Sequence, residues 1–319
     1  MTGRVVCIAF DGVQSLDVNG PAEVFAAVGR RLARSPYRIV LASQGGGPRV
    51  MSTGIVVSTI DLASVRPRRS DTIVVAGGDE PAIRAAIADR VLLGWLARTA
   101  PRVARMTSVC SGAFLLAAAG ILDGRRATTH WSACDRLGRL FPAVRVDRDA
   151  IFIEDGNVWT SAGVTTGIDM ALAIVERDLG AGVADAIAAD LVLYVRRPGF
   201  QSQFSDALVA QTTGSDPLGP AIAWARANLA AADVDALARR AGMSVRTLHR
   251  RCLDVLGVTP GKLLDKLRVE HARTLMAKRS STKQLAARSG FGNATRMKRA
   301  FVRQLGISPR DYRMLHLAR

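Results

Sequence analysis

The chain is poor in the residues that tie folds together through disulfides or metals. It has four cysteines and four histidines in 319 residues. Cys7, Cys110, Cys134 and Cys252 show no paired spacing, which argues against a disulfide framework and for reduced thiols in the cytosol. The histidines are scattered, so no metal-ligand pattern is present, and no cofactor is expected. The opening segment MTGRVVCIAF is too short and too strand-like for a signal peptide. No apolar run approaches the length of a membrane span, so a cytoplasmic protein without a membrane partner is expected. Hydrophobic residues, at 49%, suffice for a sizeable core, and the length suits two domains.

Positive charge is abundant, and it is unevenly placed. The net charge is +17. Leu218 to Arg319 holds 21 basic and 6 acidic residues, or +15, while everything before it amounts to +2. This is the electrostatic footprint of a phosphate-binding surface. A basic membrane-surface helix fits less well, because the charges fall on segments with apolar cores rather than on one aromatic stripe.

The same basic segment contains one motif twice. The first copy, LARRAGMSVRTLHRRCLDVLGVTP, runs from Leu237 to Pro260, and the second, LAARSGFGNATRMKRAFVRQLGISP, from Leu285 to Pro309. With one residue inserted near Gly292, Leu237 aligns with Leu285, Gly242 with Gly290, Arg250 with Arg299, Gly257 with Gly306 and Pro260 with Pro309. An internal repeat is read before anything else. Each copy predicts a short Ala-rich helix, a left-handed turn at its glycine, and a second helix capped by Ser244 or Asn293. Leu248, Cys252 and Val255 in the first copy, and Met297 and Phe301 in the second, fall inward at helical spacing. Arg246, His249 and Arg250, and in the second copy Thr295, Lys298 and Arg299, are left outward. Between the copies, Pro260 to about Lys278 reads as one amphipathic helix that would fix the spacing of the two reading helices. One turn apart (~34–36 Å), both would reach the major groove on one face of a duplex. A single unit would equally suit an ordinary helical domain with basic faces. Two in register, with matching Gly and Pro punctuation, favour DNA.

This segment, 218–319 with units at about 234–257 and 282–306, resembles the DNA-binding domain of AraC/XylS-type transcription regulators. The resemblance implies that Arg246, His249, Arg250, Thr295, Lys298 and Arg299 face double-stranded DNA. Met297 and Lys298 depart from the aromatic and small polar pair usual there, which turns the second unit toward phosphate grip rather than base choice.

In the N-terminal two-thirds, β-branched runs alternate with Ala-rich stretches. Strands are expected at 4–10, 38–42, 72–76 and 103–108. Helices are expected at 21–32, 80–99, 112–119, 165–179 and 183–195, with hairpins around Gly54 and around Asp155-Gly156. Such alternation implies a mostly parallel sheet covered on both faces, with ligands at the carboxyl ends of its strands. Two strand ends stand out. At Val109-Cys110-Ser111-Gly112 a strand runs straight into a helix, the form of a nucleophile elbow, where a helix dipole lowers a thiol pKa. A cysteine there also reads as a small buried hydrophobe. At Gly77-Gly78, paired glycines allow close backbone approach, or simply a tight turn.

Three segments, LDVNGPAEVF, VCSGAFLLAAAGILDGRRATTHW and SAGVTTGIDMAL, resemble the ThiJ/PfpI family. The resemblance covers about 3–195 and implies a flavodoxin-like, class I glutamine-amidotransferase-like α/β domain. The family's elbow cysteine would be Cys110, and its acidic partner Asp17 or Glu23. Isonitrile hydratases in the family pair a cysteine, followed by a hydroxyl residue, with an aspartate; Cys110-Ser111 and Asp17 fit that pattern. Peptidase-like members carry a histidine after the cysteine, where Ser111 stands, so a Cys-His pair would need His130, which equally suits a capping role.

Polar, turn-rich 197–217 reads as a connector between an α/β domain at 1–196 and an all-α double helix-turn-helix domain. That fusion resembles the GlxA subfamily of regulators, whose α/β domain dimerises and senses effectors. The expected function is therefore a sequence-specific DNA-binding regulator. Its expected partners are operator DNA, a second copy of the chain and an unidentified small-molecule effector, with RNA polymerase a further candidate. The effector, or vestigial catalytic, pocket would involve Cys110, Ser111, Asp17, Glu23, Gly77, Gly78 and His130. The alternative is a cysteine-dependent enzyme, isonitrile-hydratase-like or glyoxalase-like, using Cys110 and Asp17.

Overall fold

A computed structural model describes residues 3–32, 35–193, 197, 199, 217–256, 258–276, 281–305 and 308–316. The chain divides into two compact units, Met1–Gln203 and Phe204–Arg319. Most of the expected connector, along with Gly257 and Gly306, lies outside the described residues.

The first unit is built on strands β1 (Gly3–Ile8), β2 (Tyr37–Ser43), β3 (Gly47–Val50), β4 (Val56–Asp61), β5 (Thr72–Val75), β6 (Arg105–Val109), β9 (Phe152–Asp155) and β10 (Val158–Ser161). They form one sheet in the order β3-β4-β2-β1-β5-β6-β10-β9. Neighbours from β4 to β10 pair in parallel, and only the two edge strands, β3 and β9, run antiparallel. The central strands are unbroken apolar runs because both faces are covered. Val6 and Ile8 join one core with Ile73, Val75 and Met106, while Val5 and Cys7 join the opposite core with Val74 and Val109. Helices α2 (Glu80–Ala88), α3 (Arg90–Thr99) and α4 (Gly112–Ala118) cover the first face. Helices α1 (Ser15–Arg31), α6 (Thr166–Leu179) and α7 (Ala181–Asp190) cover the second. A small pair, β7 (Arg126–Ala127) with β8 (Arg145–Val146), and α5 (Cys134–Leu140) complete the unit.

The chain proceeds from β1 outward to β2 on one side and to β5 on the other. The order therefore reverses beside β1, and the loops after β1, β5 and β6 open together at one sheet end.

Three local readings are corrected. Helix α1 begins at Ser15, so Pro21 lies inside it rather than at its first turn, and Asp17 falls in that first turn. The expected single helix at 80–99 is two, because the Asp89 carboxylate caps a new start by accepting the N–H groups of Val91 and Leu92. The hairpin near Gly54 is wider, formed by β3 and β4.

The second unit is helical: α8 (Leu218–Ala227), α9 (Val234–Arg240), α10 (Val245–Leu256), α11 (Pro260–Met276), α12 (Thr282–Arg288), α13 (Ala294–Leu305) and α14 (Pro309–His316). Asp233 caps α9, and Ser281 with Gln284 forms a capping box on α12. The two turn glycines are left-handed, Gly242 at φ 63° and Gly290 at φ 80°. Leu237, Leu248, Cys252 and Leu264 share one core; Leu285, Phe291, Met297 and Phe301 are buried around the second copy. Gly290 packs against the backbone of Leu229 in the α8–α9 turn, where a Cβ would meet the Leu229 carbonyl carbon at 2.6 Å. Among the described residues no helix is long and apolar enough to cross a membrane.

Candidate functional site

Cys110 follows β6 directly and starts the turn into α4. Its φ of 55° is a left-handed conformation in a residue with a side chain, and such strain persists only where the surroundings impose it. They do so here from three sides. Ser161 O accepts the Cys110 N–H at 3.0 Å. The Thr129 hydroxyl donates to the Cys110 carbonyl at 2.8 Å. Gly112 lies so close to the Val75 carbonyl that no side chain would fit.

Asp17 is fully buried and spans two loops, accepting the Gly77 N–H at 3.1 Å and the Val164 N–H at 2.8 Å. Val164 is itself left-handed, with φ 52°. The Cys110 thiol is an electrostatic neighbour of this carboxylate. Burial lifts the Asp17 carboxyl to about 6, against the opposing pull of those hydrogen bonds. Burial first, and the Asp17 charge next, push the Cys110 thiol up to about 12. This corrects the expectation of a thiol made acidic by the helix dipole: desolvation and a neighbouring carboxylate outweigh the dipole of a helix only 7 residues long. Glu23 stands elsewhere, exposed on α1 and paired with Arg30 at 2.6 Å. Of the two acidic candidates, Asp17 is the one the fold places at the elbow.

The paired glycines are a close approach, not merely a turn. A Cβ on Gly77 would stand 2.6 Å from Ser111 Oγ and 2.8 Å from Asp17 Oδ2. Ser111 is stitched to Gly78 twice, donating to its carbonyl at 2.8 Å and accepting its N–H at 3.0 Å.

A cavity of about 530 Å³ opens beside this elbow. Gly78, Cys110, Ser111 and His130 form its polar end, and Ile83, Ile87, Phe114 and Leu140 its apolar wall. At its rim Glu80 is shared by Arg84 at 2.6 Å and Arg136 at 2.7 Å. His130 pairs its Nδ1 with the Ser132 hydroxyl at 2.8 Å, and burial lowers its pKa, which favours the neutral ring at pH 7. It therefore lines the same cavity as Cys110 while oriented by a serine rather than by the thiol.

Sequence reasoning missed several contributors. Gly163 lies against Cys110, and its neighbour Val164 reaches Asp17; the SAGVTTG segment was the available signal. The rim pair Glu80–Arg84 was readable as an i,i+4 ion pair. Arg197, at the expected connector's start, clamps buried Asp169 through its main-chain N–H at 3.0 Å and its guanidinium at 2.6 Å, and also reaches Thr165 at 2.8 Å. No spacing signals that contact.

In the second unit, Arg246, His249 and Arg250 are exposed on α10, and Thr295, Lys298 and Arg299 are exposed on α13. Both helices are capped at their N-termini, Ser244 Oγ accepting from Thr247 N at 3.2 Å and Asn293 Oδ1 from Arg296 N at 2.8 Å. The caps fix where the helices begin, and hence which side chains share the outward face.

Over residues 3–177 the sequence matches the model of the DJ-1/PfpI family, and over 237–314 that of a helix-turn-helix domain. It is 31% identical over 288 residues to the HTH-type transcriptional regulator GlxA of Rhizobium meliloti, covering 88% of this chain and 86% of that protein. It is 32% identical over 206 residues to the isonitrile hydratase of Pseudomonas putida, covering 65% of this chain and 85% of that one. A solved ThiJ/PfpI family protein from Pseudomonas syringae superposes with a TM-score of 0.55 at 27% identity, over 62% of this chain and 78% of its own.

Proposed function

The chain belongs to the DJ-1/PfpI family, joined to an AraC-type helix-turn-helix domain in a DNA-binding transcriptional regulator, and on that premise we propose that its α/β unit is a small-molecule sensor that binds its effector in the Cys110 cavity. The observation that carries this reading is an open cavity beside an elbow whose surrounding loop donors are engaged. Gly77 N–H and Val164 N–H serve Asp17, Gly78 N–H serves Ser111, and Cys110 N–H serves Ser161. An acyl- or nitrile-transforming cysteine needs free donors aimed at the developing negative charge and a thiolate. This elbow offers a protonated thiol, and the loop donors of Gly77, Gly78 and Val164 are committed to the scaffold, which suits binding better than turnover.

We assign contact with the operator to Arg246, His249 and Arg250 on α10, with Thr295, Lys298 and Arg299 on α13. The protein acts in the cytoplasm as a homodimer through its α/β unit, which places two double units on one operator. Footprinting on the upstream region of the protein's own gene tests the DNA assignment: protection that Arg250→Ala weakens at particular bases supports it. Protection unchanged in all six single alanine variants contradicts it. Thermal-shift screening of metabolites against wild type and Phe114→Trp, which fills the cavity, tests the sensor. A ligand that stabilises wild type alone and changes operator affinity is expected; one that stabilises both variants equally lies outside the cavity.

A second reading is a cysteine-dependent enzyme, favoured by the coupling of Cys110 to buried Asp17 and by the similarity to an isonitrile hydratase. Turnover of isonitriles or 2-oxoaldehydes by wild type, lost in Cys110→Ala, would establish it. Equal rates in both would reject it.

A further inference from the structure

Three contacts converge between the two reading units. Arg268, on the linking helix α11, is 4% exposed. It donates to the carbonyls of Leu229 at 3.3 Å and Ala232 at 2.5 Å, in the turn that precedes the first reading unit. One turn earlier on α11, Asp265 reaches the other way, to Arg303 at 2.5 Å and Arg296 at 3.8 Å, both on the second reading helix α13. Its Oδ1 also lies 3.8 Å from Arg268 and is buried without a hydrogen-bond partner among the described residues. Gly290 closes the third side. At φ +80° it seats the second unit's turn directly on Leu229, with a Cβ position 2.9 Å from the leucine Cβ.

Each contact ties one unit to the other or to α11, and none involves an outward reading residue. We propose that Asp265, with Arg268 and Gly290, forms a positioning clamp that sets the register between the two reading helices and makes the protein selective for the spacing of its half-sites. Asp265 gathers three guanidinium groups around one carboxylate. Without it those cations repel one another, and α13 loses an acidic anchor on α11. Rigid coupling turns binding of the second unit into an intramolecular event, but only on DNA of matching geometry. One inserted base pair moves a half-site by ~3.4 Å and rotates it by ~34–36°, which a clamped pair cannot follow.

The test uses the full-length protein and its footprinted operator, alongside duplexes with one base pair inserted or deleted between the half-sites. Wild type is expected to bind the native spacing roughly tenfold or more tightly than either altered duplex, and Asp265→Asn to shrink that ratio to about threefold or less. Arg303→Gln, a surface change that leaves the core intact, should shrink it as well, and it decides the matter if Asp265→Asn fails to fold. A merely electrostatic role would shift all three affinities together and leave the ratio unchanged, which would overturn the clamp. Indifference of wild type to spacing would overturn it too.

Discussion

Gly163 is packed against Cys110 so closely that a Cβ on the glycine would stand 2.7 Å from the cysteine Cα and 2.8 Å from its sulfur. The elbow is thus held from below by β6 and from above by the loop that follows β10. Gly163→Ala adds a methyl where no neighbour can yield, at a φ of +107°. A destabilisation of about 2–4 kcal/mol is expected, read by urea unfolding. A cost near zero would mean that the loop is not seated on the cysteine.

Cys110 should alkylate slowly at neutral pH. With its thiol pushed up to about 12, the iodoacetamide rate should climb roughly tenfold per pH unit from pH 7 to 9 and show no plateau. Cys7, Cys134 and Cys252 are buried, so a Cys110→Ser variant supplies the background. A plateau below pH 8 would show that the thiolate is stabilised after all.

Asp17 makes stability depend on pH in an unusual direction for a carboxylate. Its folded pKa, about 6, lies above the ordinary 3.8, so the native state holds a proton that the unfolded chain has released. Stability from this group is complete below the ordinary value and falls as pH rises through the window, by up to about 3 kcal/mol, levelling above the folded value. The difference between wild type and Asp17→Asn in urea isolates it from other carboxylates. That difference should decline from pH 4 to 6; a rise over the same range would contradict the burial argument.

The six outward side chains should separate into two classes. Arg250→Ala is expected to cost ~1–3 kcal/mol at cognate DNA and to relax specificity at particular bases. Lys298→Ala should weaken all sequences alike and lower the slope of log K against log salt by about 1. Gel shifts at several salt concentrations on cognate and scrambled duplexes measure both. A Lys298→Ala variant that loses sequence preference at unchanged slope would reverse the second assignment.

Much of this architecture was legible in the chain. The central strands announce themselves as unbroken apolar runs because both faces are buried, and the repeat announces itself because Gly242 and Gly290 hold left-handed turns that other residues resist. The break at Asp89 was hidden, since an aspartate inside an Ala-rich stretch looks like a solvated helical residue until its side chain is seen capping two N–H groups. The start of α1 was hidden for a related reason: Gln14 provides no side-chain cap, whereas Pro21 mimics a helix start. The thiol's character was beyond reach of local sequence. It depends first on burial and next on the Asp17 charge, and the depth of that burial is set by the packing of β1, β5 and β6 rather than by local sequence. The rim pair Arg136–Glu80 and the clamp at Asp265 are equally products of topology.

The seat of Gly290 on Leu229 bears on how such regulators can be recombined. Since one reading unit's turn is moulded onto the main chain leading into the other, neither is a detachable cassette. A chimaera that exchanged only the second unit with a relative would import a turn without its matching surface. Transplants of operator preference should instead be cut ahead of Leu218, so that both units and the helix between them travel together.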